Sequence, residues 1–281
     1  MPDDVYELYA IRYGTNSRRR RVENLIWVAP DDLHDTAMPM DFFVWAAVSP
    51  SRVVVIDTGA DEATCRARGH EFLRCPTDGL GRIGVDASAV RHVVTTHLHW
   101  DHAGNLPVFP EAHMHVQRAE MAHASGPCMN RAFLRRPYDP EQIAAFICRF
   151  WQGQVTFHEG DEEIAPGLSL HAMGGHTPGM QVVRVNTRRG QVVLTSDAVH
   201  YYENLEAENP FPVLVNTIDY VEALHRVQEL ADGPDHLVPG HDPLVLARYP
   251  AASPELAGLV ARLDVEPAMA STAPVEPAAS A

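Results

Sequence analysis

At 281 residues the chain is long enough to bury a full hydrophobic core, and its composition is that of a folded soluble protein rather than a disordered or fibrous one. A formal charge of −15, from 37 acidic against 22 basic residues, argues against nucleic acid, whose backbone needs a basic surface, and suits neutral or cationic small molecules. No run approaches the ~18–20 apolar residues of a membrane span, and "MPDDVYELYA" lacks the basic-then-apolar pattern of an export signal, so the expected location is cytoplasmic, with no membrane partner.

Strand patterns open the chain at "VYELYAIRYG" (5–14), "FFVWAAVS" (42–49) and "RVVVIDTG" (52–59), the last ending in a turn with Asp57 and Gly59. The basic run Arg18 to Arg21 falls between the first two and reads as a solvated turn. A helix-compatible stretch follows from Asp61 to about Leu73. Asp86 then N-caps a short helical turn, "DASAV", that leads into the strand "RHVVTT". His113 and His115 alternate along "EAHMHV" and share one strand face. Residues 123–154 read as a helical insertion, with Pro140 near the start of its main helix. Strands return at "VTFHEG", "LSLHAMGG", "MQVVRVNT" and "QVVLTSDA", with "NTRRGQ" as a hairpin turn. A helix over 217–232 and a short strand in "HLVPGHD" complete one domain over 1–250. Residues 251–281 are Ala/Pro-rich and read as a disordered tail. The four cysteines, Cys65, Cys75, Cys128 and Cys148, form no CxxC pair and are expected as free thiols.

The densest chemistry is "THLHWDHAG" (96–104), with His97, His99, Asp101 and His102 in six positions just after a buried strand. Imidazole nitrogen and carboxylate oxygen form the donor mixture favoured by zinc and similar divalent ions. One ion takes about four donors and a catalytic one keeps a position open, so four side chains this close suggest two adjacent ions if further donors arrive. His176 in "GGHTPG", Asp197 in "LTSDA" and His241 in "VPGHD" supply them. Each follows an apolar strand and sits in a loop of small residues, where glycine permits close backbone approach. The remaining histidines, His70 among them, have no comparable context, and Asp242 beside His241 reads equally as a supporting partner or a surface carboxylate.

"HLHWDH", "GGHTPG", "SDA" and "PGHD", in this order, resemble the metallo-β-lactamase superfamily from "VVVIDTGA" to "PGHDPL". The resemblance implies an α/β fold, an αββα sandwich with a dinuclear site at one edge. It implies that His97, His99 and His176 hold one metal, that Asp101, His102 and His241 hold the other, and that Asp197 bridges them. The ions implied are two divalent metals, Zn2+ first, with Co, Mn or Fe as alternatives. Within the superfamily, "EFLRCPTDGLGRIGVD", "HLHWDHAGN", "GGHTPGMQVVRV" and "SDAVHYYEN" look similar to the N-acyl-homoserine lactonases, the quorum-quenching lactonases.

That likeness implies a hydrolase that opens the ester bond of a small-molecule lactone by a metal-bridging hydroxide. One ion would polarise the carbonyl and the other would receive the alkoxide, while Asp101 moves the proton. Another lactone, a cyclic amide or a thioester is the alternative substrate on the same site. The lactonases carry a Tyr three residues after the bridging Asp. Here His200 holds that position, and Tyr201 and Tyr202 follow it, so any of the three can serve at the carbonyl. In the helical insertion, Met129, Phe133, Ile143, Phe146, Ile147, Phe150 and Trp151 leave three readings open: core packing, an acyl-chain pocket, or a homodimer interface.

Overall fold

The computed structural model describes residues 4–28 and 35–268. Two sheets lie face to face. The first holds β1 (Glu7–Asn16), β2 (Met40–Val48), β3 (Val53–Ile56), β4 (Glu71–Phe72), β5 (His92–Val94), β6 (His113–Gln117) and β7 (Val155–His158). The second holds β8 (Glu162–Ala165), β9 (Leu168–Ala172), β10 (Gln181–Thr187), β11 (Gly190–Ser196) and β12 (Leu237–Pro239). A last strand, β13 (Val260–Arg262), returns to the first sheet, whose order is β13-β1-β2-β3-β5-β6-β7 with β4 on β1; the second runs β12-β11-β10-β9-β8.

Side-chain alternation sorts the strands into layers. Leu8 and Ala10 of β1 and Phe43, Trp45 and Ala47 of β2 pack with Leu168, Leu170, Val183, Val185, Val192 and Leu194 between the sheets. Their neighbours Tyr9, Ile11, Phe42, Val44 and Ala46 face outward to a second core. Helices cover that side of each sheet: α1 (Glu62–Ala67), α2 (Pro76–Arg82), α3 (Arg118–Ala124), α4 (Ala132–Arg135), α5 (Pro140–Trp151), α6 (Tyr202–Glu206), α7 (Thr217–Leu230) and α8 (Leu244–Arg248). In α7, Tyr220, Ala223, Leu224 and Val227 are buried at helical spacing, and the Asn216 side chain caps its first turn by accepting from Ile218 N and Asp219 N. In α5 the Asp139 carboxylate does the same for Glu141 N and Gln142 N, with Pro140 in the first turn. The αββα sandwich expected from the sequence is the fold observed.

Two local expectations need correction. The segment from residue 251 is not a disordered tail throughout: Ala251 bridges to Ala261, β13 pairs antiparallel with β1, and Leu256, Leu259, Val260 and Leu263 are buried. The sheet edge draws in a segment whose Ala/Pro composition hides four apolar contacts. Residues 269–281 of that tail lie outside the described residues. The run Arg18 to Arg21 is not simply a solvated turn either: Arg20 pairs with Asp35, Arg21 pairs with Glu203, and Arg19 folds its guanidinium over the Phe211 ring. All four cysteines are free thiols. Among the described residues no helix is long and apolar enough to cross a membrane.

Candidate metal centre

Five strand ends meet at one edge of the sandwich. β3 is followed by Asp57, β5 by the loop with His97 to His102, β9 by the loop with His176, β11 by Asp197 and β12 by His241. Two of these exits turn through left-handed backbone at residues other than glycine, Asp57 (φ 60°) and Ser196 (φ 43°). Such conformations cost of order 1–3 kcal/mol and persist where surrounding contacts impose them. Here Asp57 is held by Thr96 N and Thr96 Oγ1, at 2.7 and 2.9 Å.

All seven residues singled out from the sequence are brought together and buried: His97, His99, Asp101, His102, His176, Asp197 and His241. Around one oxygen of Asp197, Oδ2, stand His176 Nε2 at 3.1 Å and His97 Nε2 at 3.7 Å, with His99 Nδ1 2.9 Å from His176 Nε2. Around the other oxygen, Oδ1, stand His241 Nε2 at 3.0 Å and His102 Nε2 at 3.2 Å. Asp101 Oδ2 completes this second group, 3.5 Å from His102 Nε2 and 3.8 Å from His241 Nε2. Zinc–nitrogen bonds of ~2.0–2.1 Å put tetrahedral donors about 3.3 Å apart, and both groups have that spacing. The Nε2 atoms of His97 and His102 are fully buried and make no hydrogen bond. That would be costly in a finished core and is what an ion's donor requires. The chemistry and spacing of this set fit two divalent ions bridged by Asp197.

The outer nitrogens are fixed as metal-site imidazoles usually are, by oxygen partners that set tautomer and ring angle. His102 Nδ1 donates to Asp57 Oδ2 at 2.8 Å, His176 Nδ1 to the Val213 carbonyl at 2.6 Å, and His241 Nδ1 to the Asp41 carbonyl at 2.8 Å. Burial, reinforced by neighbouring imidazoles, pushes the pKa values of His97 and His99 well below the usual histidine range, so both are neutral donors. Burial opposes charge on His102 too, but Asp197, Asp101 and Asp57 outweigh it and raise its pKa. A cation in the second group would relieve that excess of carboxylate.

The three residues after "SDAV" separate cleanly. His200 enters the cluster: its Nε2 lies 2.9 Å from Asp197 Oδ2, its Nδ1 lies 3.2 Å from the Tyr220 hydroxyl, and its ring stacks on Phe211 at 3.7 Å. With Asp197 and His241 it also forms a third set of donors able to hold an ion. Burial, partly offset by Asp197, moves its pKa down to about 3, so the ring is neutral. Tyr201 and Tyr202 are not brought to the cluster. Both are buried against a separate cavity of about 620 Å³ that includes Met38, Pro39 and Leu244, with Tyr202 under the Arg248 guanidinium. Asp242 is buried as well, but its carboxylate accepts from Tyr202 N and Leu244 N rather than from His241.

Several contributors were not foreseen. Glu120, fully buried in α3, accepts from Leu98 N, Thr177 Oγ1 and the Tyr138 hydroxyl, tying the His97–His99 turn to the His176 loop. Tyr138 presents its ring edge to His99, with centroids 4.6 Å apart. Tyr220 reaches His200 because Gly175 lets α7 come close: a Cβ there would lie 2.3 Å from Tyr220 Cα, and its φ of +97° disfavours other residues. A cleft opens at His99 and His176 between α4 and the chain at 213–215, walled by Phe133, Leu134, Tyr138, Val213 and Leu214. Of the seven insertion residues singled out from the sequence, only Phe133 lines it. Ile143 and Phe146 are core, Met129 and Ile147 pack against that core, and Phe150 and Trp151 are exposed.

Residues 42–250 match the model of the metallo-beta-lactamase superfamily. An N-acyl homoserine lactonase of a Bacillus species is 35% identical over 133 residues, 47% of this chain and 48% of the relative, so the chain spans about half the length of that relative. The N-acyl homoserine lactonase AttM of Rhizobium radiobacter is 28% identical over 235 residues, 78% of this chain and 87% of the relative. Among solved structures, a quorum-quenching N-acyl homoserine lactone lactonase superposes with a TM-score of 0.69 at 25% identity, covering 86% of this chain and 94% of its own. AidC, a dizinc quorum-quenching lactonase in complex with a product, shares the fold with a TM-score of 0.64 at 17% identity, covering 86% and 89%.

Proposed function

The chain belongs to the metallo-β-lactamase superfamily, and on that footing we propose that it is a dinuclear metal-dependent hydrolase that opens the ester bond of N-acyl homoserine lactones. The observation that carries the reading is the division of six donor side chains about a single carboxylate, with one group at Asp197 Oδ2 and the other at Oδ1. His97, His99 and His176 would hold one ion, Asp101, His102 and His241 the other, and Asp197 both. Zinc suits a set of five imidazoles and two carboxylates. When bound, such a pair lowers the pKa of water to give a nucleophile near neutral pH and polarises the ester carbonyl.

The chain's own groups do the rest. His200 is neutral, and the Tyr220 hydroxyl at its Nδ1 favours the proton on Nε2, where it can donate to an oxygen beside Asp197. His200 therefore takes the part of the hydroxyl that the family places there. Asp101 is anionic: burial works against its charge, but His102 and His241 outweigh that and lower its pKa. Its carboxylate can carry a proton from the attacking water to the departing alkoxide. Beside His99 and His176, Phe133, Leu134, Val213 and Leu214 offer apolar surface on which an aliphatic chain could lie, the cleft between them being only about 20 Å³.

The test is acid release from a panel of acyl homoserine lactones, other lactones and thioesters, using protein stripped of metal and then reconstituted. Ring opening that vanishes on stripping and returns with zinc, cobalt or manganese is the expected result. Full activity in the stripped protein, or turnover of thioesters alone, would overturn it.

A further inference from the structure

The chain is strongly acidic overall, yet three arginines lie over aromatic rings that flank the metal centre. Arg19, from the basic run near the N-terminus, holds its guanidinium 4.9 Å above the Phe211 ring, whose other contact is the stacked His200. Arg68, just after α1, lies 5.0 Å from the centroid of Trp100, the residue between His99 and Asp101. Arg136 stands at the rim of the apolar cleft beside His99 and His176. Arg68 donates to the Arg136 carbonyl at 3.0 Å, which brings these two residues together beside the centre.

His70 belongs to the same wall. Its ring lies parallel to Trp100, 5.2 Å away at an interplanar angle of 3°, and packs on Phe42, which in turn meets His241 edge-on. Its Nδ1 is buried and makes no hydrogen bond. Burial is the largest influence on this imidazole and lowers its pKa.

These groups are held in place without being neutralised. Arg68 is positioned by two carbonyls, those of Arg136 and Tyr138, each at 3.0 Å, and Arg19 by the Asn24 side chain and the Glu23 carbonyl. Among the described residues none of Arg19, Arg68 and Arg136 reaches a carboxylate at ion-pair distance, whereas Arg20 and Arg21 of the same basic run do. The half-buried Arg19 and Arg68 guanidiniums, fixed by neutral acceptors, keep donors and field for an incoming anion, and the exposed Arg136 adds its charge at the cleft. A cleft lined by one sign of charge steers opposite charge inward whatever the net charge of the molecule.

We propose that Arg19, Arg68, Arg136 and His70 form an anion-binding rim that takes a second anionic group, carboxylate or phosphate, on a small molecule whose other end is held at the centre. The inference rests on the centre holding metal, as the hydrolase reading requires, but not on that reading's substrate. It also narrows the expectation of neutral or cationic partners drawn from net charge alone.

The test is calorimetric titration of the zinc-equilibrated protein with butyrate, glutarate and 3-phosphonopropionate at 50 and 200 mM salt. Butyrate offers one carboxylate of the kind lactone opening creates, and the other two add a second anion at the far end. A gain of about tenfold in affinity from the second anion is expected, shrinking at the higher salt, and the tighter of the two identifies the anion class. Arg68→Gln and His70→Gln are expected to remove most of that gain while leaving butyrate unchanged. Arg136→Gln, at an exposed position that puts folding at little risk, is expected to reduce it. Equal binding of all three ligands by the wild-type protein, or a preference untouched in Arg68→Gln and Arg136→Gln, would overturn the rim. A protein that shows the preference yet opens no lactone would instead overturn the proposed function alone.

Discussion

Asp57→Asn isolates the support of one donor from the donor itself. The wild-type carboxylate is fully buried. Its Oδ1 accepts from Thr96 N at 2.7 Å, and its Oδ2 accepts from Thr96 Oγ1 at 2.9 Å and from His102 Nδ1 at 2.8 Å. Asparagine keeps the shape and the Thr96 N bond, but places an NH2 where Oδ2 was. Thr96 Oγ1 can turn to accept, since Ser196 Oγ at 3.0 Å offers its hydroxyl proton another partner. His102 cannot adapt so easily. Facing a donor, its Nδ1 must give up its proton, the proton moves to Nε2, and the nitrogen aimed at the second ion is blocked. Losing a hydrogen bond to a charged group costs about 1.5–3 kcal/mol, and removing an outer partner of a metal ligand typically costs ~10–100-fold in affinity. The two ranges agree, since each factor of ten is about 1.4 kcal/mol. Competition of zinc against a chromophoric chelator should therefore show one ion held as in the wild type and a second weakened by about 10–100-fold. Two ions bound with unchanged affinities would refute the reasoning from Asp57 to His102.

Further expectations follow from other parts of the molecule. His200→Phe should lower kcat by roughly 10–100-fold with a smaller change in KM, and His200→Tyr should recover part of it; steady-state kinetics on one lactone decides, and an unchanged kcat in the Phe variant would remove His200 from the chemistry. Phe133→Ala should raise KM for long-chain more than for short-chain substrates, by roughly threefold, and equal effects at all chain lengths would take the acyl chain out of the cleft. Away from the centre, His115 on β6 is buried between His92 of β5, His158 of β7 and His113 on its own strand, with Glu162 of β8 beyond His158. Burial and those neighbouring imidazoles move its pKa down to about 3. A folded-state pKa below the unfolded value means that the unfolded chain binds more protons between them. Stability is then fully present above about pH 6.5 and is lost as pH falls toward 3, with a slope of up to about 1.4 kcal/mol per pH unit from this group. Denaturant midpoints from pH 7 to 5 should fall less steeply in His115→Gln than in wild type, and parallel curves would contradict the assignment.

The donors were legible because metal ligation compresses chemistry into short motifs at strand ends, where residue type alone carries the signal. "HLHWDH" has no better use for three imidazoles and a carboxylate, and "GGHTPG", "SDA" and "PGHD" each follow an apolar strand. The supporting groups carry no such local mark. Glu120 reads as an ordinary helical glutamate and becomes a buried anchor only because Gly179 lets its loop touch the backbone of α3. Tyr220 belongs by pattern to the apolar stripe of α7, and nothing in "TIDYVEALHR" says that its hydroxyl meets His200. Arg19 and His70 are placed at the mouth by aromatic rings from distant segments. β13 failed for another reason: three residues are too few to show a period, and the edge of β1 supplies the pairing that its composition does not advertise.

The account's central claim is that seven side chains hold two ions about Asp197. Anomalous diffraction at the zinc edge from zinc-soaked crystals measures this directly. Two peaks of comparable height about 3.5–4 Å apart, one within His97, His99 and His176 and the other within Asp101, His102 and His241, are the expected result. A single peak, or a second ion held by His200 in place of the Asp101 group, would contradict it.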